Sequence, residues 1–391
     1  MQKKALRVIV SIVLILLLAF VGFCALIGFA FSGQSAFYSP FILTLFSLLS
    51  IWLIVWALKL LKTKIAVGSF IAILLSASIA VTIYEVRKSY INSIPTIDDQ
   101  GVNLNDYQPF DKDSKVALLD GESTLNFEDN LPRIDGATAL YPLYSAFVQA
   151  TYPEGEYNPY GSIVMSNTTP EAYRRLLDGE VDVIFCAAPS KAQIEEAESE
   201  GKTFILRPIG REAFVFFVNI NNPVDELSVE QIQDIYSGKI TNWRQLGGDN
   251  QDIKAFQRPK NSGSQTMLEK IMEGAPLISP PLKDVATGMG GIIHQTAEYK
   301  NFNSAIGYTF LFFATEMIGN NQVKLLKVNG VYPDKASIKN NEYPFIGDFY
   351  AITLDTQNEN VTKLIDWVTS DQGQSLVEKT GYASLSMDKI P

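Results

Sequence analysis

The stretch IKAFQRPKNSGSQTMLEKIMEG, residues 253–274, contains a strand pattern, a polar turn and a helix pattern in succession. Residues 253–258 predict a strand, and residues 264–274 predict an amphipathic helix. Gly274 is the expected end of that helix, because glycine favours the left-handed turn that commonly closes a helix. A strand that passes through a short turn into a helix is the repeating unit of α/β sheets, so this stretch predicts the α/β class.

The turn inside this stretch, Arg258–Ser264, has the chemistry of an anion-binding site. A helix start exposes unpaired backbone N–H groups and the positive end of the helix dipole. Ser262 and Ser264 add hydroxyl donors, and Gly263 lets a ligand approach the backbone closely. Arg258 supplies a forked guanidinium that matches phosphate or carboxylate oxygens. Turns of this kind are where ligands usually bind in α/β sheets.

Two earlier helix starts offer similar groups. Residues 135–138 (DGAT) open a helix predicted over 138–152, and residues 166–171 (SNTTPE) open one predicted over 170–179. In the second, Thr169 is the expected N-cap and Pro170 the first helical residue. Taken alone, each start is better explained by ordinary helix capping. A binding site therefore requires that the three starts converge, which the sequence does not show.

Short strands and helices alternate through the rest of the chain after Leu131. Further strand-like runs lie at 181–188, 212–219, 304–312, 323–328 and 349–354, and further helix-like runs at 191–201, 228–238 and 359–381. This alternation predicts parallel-rich sheets with helices on both faces. Because about 260 residues are many for one such core, we expect two lobes.

The N-terminal part of the chain is membrane-like. The runs Val8–Phe31, Phe37–Leu58 and Ile65–Tyr84 hold no charged residue, and each is long enough to cross a hydrocarbon core of about 30 Å. The first run is too long for the apolar region of a signal peptide. We therefore expect three transmembrane helices. No ionisable residue lies at mid-depth, which favours an anchor or an assembly surface over a pump or channel.

Basic residues set the expected orientation. They cluster before the first helix and between the second and third, at Lys3, Lys4, Arg7, Lys59, Lys62 and Lys64. By the positive-inside rule the N-terminus is cytoplasmic and the part after the third helix is extracytoplasmic, although Arg87 and Lys88 oppose this. The predicted organisation is an anchor at 1–89, an acidic linker at 90–130 with a short strand at Val116–Leu119, and a two-lobed domain at 131–391.

Charge and composition exclude several classes. Residues 1–89 contain eight basic residues and one acidic residue, a net charge of +7, so the remainder carries −17 for the chain to total −10. So acidic a surface is unsuited to nucleic acid. Cys24 and Cys186 are expected to be buried thiols without a disulfide. With His294 as the one histidine and no nucleophile elbow or phosphate loop, we expect no metal site, no cofactor and no enzyme activity.

Four stretches carry a resemblance to a known family: RIDGATALYPLYSAF (133–147), LSVEQIQDIYSGKITNWRQLGG (227–248), FQRPKNSGSQTMLEK (256–270) and SAIGYTFLFF (304–313). They resemble the type II periplasmic-binding-protein superfamily and, more closely, the phosphate-binding proteins of ABC uptake systems. The resemblance covers residues 131–391, with a poor match at 275–300, and leaves out the membrane helices. It implies two α/β lobes joined by crossing strands, with the ligand enclosed between them by hinge closure.

The resemblance also implies a set of ligand contacts. By position these fall on Thr138, Ala139, Asn167, Thr168, Thr169, Arg258, Ser262, Gly263 and Ser264. Phosphate-selective members often carry an Asp acceptor where this chain has Ile184–Ala188, so phosphate and sulfate both stay open as ligands.

The expected lobes are 131–210 plus 345–391 and 211–344, with crossings near Gly210–Ala213 and Asn341–Gly347. Arg211, Asp348 and Tyr350 lie near the crossings, where a structural salt bridge and packing are the favoured roles.

Together these features predict a membrane-tethered, extracytoplasmic solute-binding protein of the bacterial cell membrane. It would capture an inorganic oxyanion, with phosphate favoured, and deliver it to ABC permease subunits. The alternative is an anion sensor or interaction module that signals through its membrane helices, because three spans exceed what simple tethering requires.

Overall fold

The computed structural model describes residues 2–31, 35–94, 96–97, 103–258, 260–278, 299–300, 302–318, 322–355 and 358–385. The chain divides into an N-terminal helical unit and a larger α/β unit that begins at Thr96. His294 lies outside the described residues.

The N-terminal unit consists of three long helices, α1 (Gln2–Phe31), α2 (Ser35–Ala57) and α3 (Thr63–Ser93). All three are long and apolar enough to cross a membrane. Most of their large apolar side chains are exposed, as expected of helices whose natural surroundings are lipid. The indole N–H of Trp52 on α2 donates to the carbonyl of Ala66 on α3 at 3.0 Å. The helices contain the predicted apolar runs almost completely, and α3 continues past Tyr84.

Both cysteines are free, as expected, but only Cys186 is buried. Cys24 is exposed on α1, so the expectation of two buried thiols is wrong. The reason is that α1 exposes most of its large apolar side chains, and the thiol of Cys24 behaves as one of them.

The α/β unit contains eleven strands and eight α-helices among its described residues. In chain order they are β1 (Thr96–Ile97), β2 (Ile134–Gly136), α4 (Tyr141–Thr151), α5 (Thr169–Leu177), β3 (Val183–Ala187), α6 (Lys191–Ser199), β4 (Ile205–Asn219), β5 (Glu226–Leu227), α7 (Val229–Tyr236), β6 (Lys254–Ala255), α8 (Gly263–Ile271), β7 (Tyr299–Lys300), β8 (Ala305–Phe310), β9 (Val323–Leu325), β10 (Lys327–Val328), α9 (Lys335–Lys339), β11 (Ile346–Thr353), α10 (Glu359–Val368) and α11 (Asp371–Thr380).

A seven-stranded sheet runs through this unit in the order β2-β3-β11-β4-β8-β6, with β9 also paired to β4. Its outer pairs, β2 with β3 and β6 with β8, are parallel. Its central pairs, between β11, β3, β4 and β8, are antiparallel. The sheet is therefore mixed rather than parallel-rich, because β11 returns along β4 in the opposite direction.

The two largest hydrophobic cores of this unit mark two lobes. The first core contains residues of α4, α10 and α11, together with Ile209 of β4. The second contains residues of α7, α8 and β8, together with Ala213–Phe216 of β4. Since β4 serves both cores, it is a crossing strand, and the predicted two-lobed α/β architecture is confirmed. The lobe and domain boundaries stay a prediction.

The segment predicted as a linker contributes to the first core through Leu104, Val116 and Phe127. The strand predicted at Val116–Leu119 does not form. Instead the Val116 N–H donates to the Ser114 hydroxyl at 3.3 Å, so this backbone is engaged locally rather than with a neighbouring strand.

The single helix predicted over 359–381 is also wrong, because it breaks into α10 and α11 around Thr369 and Ser370. A side chain at Gly373 would place its Cβ 2.2 Å from the Val368 carbonyl oxygen. The first turn of α11 therefore packs directly against the end of α10, which only glycine allows. The predicted glycine helix end at Gly274 is confirmed, with a φ of 86°, and Gly179 beyond α5 has a φ of 72°.

Candidate functional site

The first predicted turn follows β2. The Ala137 N–H donates to the Phe185 carbonyl of β3 at 2.9 Å, and a short 3₁₀ helix, Thr138–Leu140, then leads into α4. Ala137 also forms an isolated parallel bridge with Asn167, which lies in the second turn. The first two predicted turns are thus joined by backbone pairing.

Asp135 connects the same two turns through its carboxylate. It is fully buried and accepts hydrogen bonds from Gly136 N–H at 2.7 Å, Asn167 N–H at 3.0 Å and the Asn167 side-chain amide at 2.8 Å. The Arg175 guanidinium lies 3.5 Å away. Burial raises the pKa of Asp135, and the hydrogen bonds and Arg175 oppose that shift. The sequence showed Asp135 only as part of a helix start and gave no sign of this bracing role.

The second turn ends one residue earlier than predicted. Thr168 is the N-cap of α5, Thr169 is the first helical residue, and Pro170 is the second. The expected N-cap at Thr169 is therefore wrong by one residue. Thr168 is exposed and makes no side-chain cap bond, whereas Thr169 is buried. The N–H of Thr169 has no acceptor within the helix, as at any first-turn position.

The third turn begins α8. Ser262 is the N-cap, and its hydroxyl accepts the Gln265 N–H at 3.2 Å. The N–H groups of Gly263 and Ser264, the first two helical residues, lack acceptors within the helix. Asn261, just before the cap, has a φ of 64°, so the chain turns sharply through a left-handed residue.

Arg258 lies between β6 and this turn. Its backbone N–H donates to the Tyr308 hydroxyl at 2.8 Å and to the Gln265 side-chain oxygen at 3.0 Å. The Tyr308 hydroxyl in turn donates to Gln265. Burial raises the pKa of Tyr308 above its ordinary value, so the phenol stays a neutral donor. The sequence identified Arg258 but not these two supporting side chains.

The second and third turns meet. A Cβ placed on Gly263 would lie 3.3 Å from the Ala187 Cβ and 3.5 Å from the Thr169 hydroxyl oxygen. In addition, the Ser190 hydroxyl donates to the Asn261 side-chain oxygen at 3.0 Å, although neither residue was a predicted site residue. The signal for Ser190 was present in the sequence as a capping box, Ser190-x-x-Gln193, but its partner lies 71 positions away.

All nine predicted ligand residues therefore lie on three turns that the fold brings together. Thr138 and Ala139 follow β2, Asn167–Thr169 begin α5, and Arg258 with Ser262–Ser264 precede or begin α8. The Thr138 hydroxyl oxygen lies 3.5 Å from the Asn167 carbonyl. The Ala139 carbonyl accepts the hydroxyl of Tyr382, a buried residue that the sequence did not single out. Such a gathering of helix starts and hydroxyls favours an anion.

The end of β3, where phosphate-selective members of the resembled family often carry an Asp, is apolar in this chain. Ala187 packs against the position of Gly263, and its carbonyl accepts the Tyr173 hydroxyl at 2.7 Å. Among the described residues, no group of three or more His, Cys, Asp or Glu could hold a metal ion.

The predicted salt bridge at the crossings is confirmed, with Arg211 Nε 3.5 Å from Asp348 Oδ1. The Arg211 guanidinium also donates to the Asn341 side chain. A further connection was missed by sequence reasoning: the backbone of Ala383 exchanges two hydrogen bonds with that of Arg211. Ala383 belongs to the second core and Tyr382 to the first, so the C-terminal segment also passes between the lobes.

This chain is similar in sequence and fold to known phosphate-binding proteins. PstS, the phosphate-binding protein of Bacillus subtilis, is 25% identical over 261 residues, which are 66% of this chain and 81% of that protein. The phosphate-binding protein PstS of Borreliella burgdorferi is 26% identical over 200 residues, 49% of this chain and 68% of that protein. The crystal structure of a substrate-binding protein from Clostridium perfringens, solved with bound phosphate, is 21% identical to this chain with a TM-score of 0.47. The alignment covers 65% of this chain and 98% of that protein. Residues 128–372 match the PBP superfamily domain, and because this match spans more than half of the chain, the chain belongs to that superfamily.

Proposed function

We propose that this chain is a membrane-tethered solute-binding protein that captures an inorganic oxyanion, phosphate, outside the cell for ABC-type uptake. The observation that carries the proposal is the meeting of the α5 and α8 helix starts, one from each lobe, beside the turn that holds Arg258. The PstS relatives support phosphate as the anion.

The proposed contacts match what an oxyanion requires. They are the backbone N–H groups and hydroxyls of Thr138, Ala139, Asn167, Thr168, Thr169, Ser262, Gly263 and Ser264, together with the Arg258 guanidinium. Each hydrogen bond to a charged group contributes about 1.5–3 kcal/mol. The positive potential at the proposed contacts would come from the helix N-termini and Arg258 rather than from the surface as a whole, so an acidic exterior is compatible with anion binding.

The proposed topology follows from the basic residues that flank the apolar helices. The three helices would form the anchor at 1–89 with the N-terminus in the cytoplasm, and the lobes at 131–391 would lie outside beyond the segment 90–130. ABC permease subunits are the proposed membrane partners. Binding rather than catalysis is proposed, in keeping with the PBP superfamily.

Isothermal calorimetry on the full chain in detergent micelles tests the anion. Binding of phosphate should give a saturable heat signal that fits one site. A parallel titration with sulfate decides whether the apolar end of β3 admits a fully ionised oxyanion. An absence of heat with every oxyanion would overturn the proposal.

Purification from native membranes tests delivery against sensing. Recovery of permease and ATPase subunits with the chain supports uptake. Recovery of a kinase without transporter subunits would favour the sensor.

A further inference from the structure

We propose that Ser190 and Asn261 form a latch that closes the cleft over the bound anion and sets how fast the anion leaves. The latch rests on the proposed function, because it acts on the ligand that the function assigns. Neither residue belongs to the set of direct ligand contacts, so both are positioning residues.

The Ser190 hydroxyl is held in one orientation. Ser190 is the N-cap of α6, and its oxygen accepts the Gln193 N–H at 3.2 Å. The Ser190 N–H donates back to the Gln193 side chain at 2.8 Å. Since the oxygen already serves α6 as an acceptor, its proton is left for Asn261, whose side-chain oxygen lies 3.0 Å away. Ser190 is only 4% exposed, which shelters this bond from water.

Asn261 belongs to the turn that contains the proposed ligand contacts of α8, so its hydrogen bond with Ser190 holds that turn. Its left-handed backbone places it between Arg258 and Ser262, directly before the N-cap of α8. Ser190 follows β3, which pairs with strands of the first lobe, whereas α8 packs in the second core. The hydrogen bond therefore spans the two lobes beside the cleft.

Close packing next to the bond means that it forms only when the lobes are closed. Gly263 is buried, and the Cβ of any side chain there would crowd the Ala187 Cβ of the first lobe at 3.3 Å and contact the Thr169 hydroxyl oxygen at 3.5 Å. Hinge opening would separate these atoms and the Ser190–Asn261 pair together. A contact that exists only in the closed state slows release and leaves the encounter with free anion unchanged.

The test measures release of radiolabelled phosphate from the full chain in nanodiscs by rapid filtration, together with the association rate. Asn261→Gly keeps the left-handed backbone and removes the side-chain acceptor. We expect release about fivefold faster with an unchanged association rate, the effect of losing one hydrogen bond. Asn329→Gly is the matched control, because Asn329 also has a positive φ and also accepts one hydrogen bond, from Val229 N–H.

A second pair of variants separates the latch from helix capping. Ser190→Ala removes the latch and a capping box, whereas Ser228→Ala removes the same kind of capping box at α7. Only Ser190→Ala should speed release, and adding Asn261→Gly to it should bring no further increase.

Three results would overturn the latch. They are unchanged release in Asn261→Gly, an equal effect in Asn329→Gly, and additive effects of Ser190→Ala and Asn261→Gly. If the wild-type chain itself binds neither phosphate nor sulfate, the proposed function fails and the latch fails with it. Binding by the wild-type chain with unaltered release in the variants removes the latch alone.

Discussion

Arg258 shows how a single charged residue depends on its uncharged neighbours. Its backbone is fixed by the buried side chains of Gln265 and Tyr308, which lie on α8 and β8 respectively. These two hydrogen bonds fix the backbone from which the Arg258 side chain extends.

Replacing Arg258 with Ala should weaken phosphate binding by about 3 kcal/mol, because it removes the forked guanidinium of the third turn. The fold should persist, since the backbone contacts of residue 258 do not involve the guanidinium. Calorimetry gives the affinity, and thermal unfolding checks the fold. Arg244→Ala, at an exposed position of the same lobe, should leave the affinity unchanged. An Arg258→Ala variant of full affinity would show that the site lies elsewhere.

We expect Asp135 to affect the stability of the fold more than the affinity for the anion. Asp135→Asn would set an amide donor against the Asn167 amide and weaken two charge-assisted bonds, so the free energy of unfolding should fall by about 2 kcal/mol. Thermal melting of the full chain measures this. Asp249→Asn, at an exposed carboxylate, should melt like the wild type. Equal melting of the two variants would mean that Asp135 is not a brace.

Among the elements, the helices α5 and α8 begin close together, because a Cβ on Gly263 would lie 3.5 Å from the Thr169 hydroxyl oxygen. Helix starts are visible in the sequence through their caps, but the contact between two starts nearly 100 positions apart is not. The break between α10 and α11 was likewise missed, because the apolar period continues through Thr369 and Ser370, where the helix is interrupted.

Gly263→Ala should lower phosphate affinity without unfolding the lobes. The added methyl would lie 3.3 Å from the Ala187 Cβ, a distance tighter than ordinary van der Waals contact, so closure would require a small displacement of α8. Calorimetry should show a loss of about tenfold, or about 1.4 kcal/mol. Gly161→Ala is the matched control, because a Cβ there meets no atom within 4 Å. Unchanged affinity in Gly263→Ala would exclude close contact of the two helix starts.

At the scale of the whole molecule, the segments that join the lobes carry a buried acid. Glu212 on β4 is 5% exposed, and its carboxylate accepts the Phe312 N–H. Burial raises the pKa of Glu212 to about 8. The folded chain therefore keeps a proton on this group at neutral pH, where the unfolded chain has released it.

This difference fixes the sign of a pH effect. Between the ordinary glutamate pKa and about 8, the folded state binds more protons than the unfolded state, so the contribution of Glu212 to stability falls as pH rises. Glu212→Gln should gain stability relative to the wild type from pH 5 to 8, as measured by chemical unfolding of the full chain. Glu198→Gln, an exposed acid on α6, should show no such trend. Parallel pH profiles for the wild type and Glu212→Gln would refute a raised pKa.

The sequence by itself determined the apolar helices, the α/β class, the two lobes and the three helix starts that carry the candidate ligand groups. These features follow from local periodicity, capping chemistry and charge, which act over a few residues. Only the tertiary structure decided that the starts meet, that Asp135 braces two of them, that Ser190 reaches Asn261, and that the central strands run antiparallel. Those contacts join residues far apart in the chain, and local pattern carries no information about which distant groups hydrophobic burial will press together.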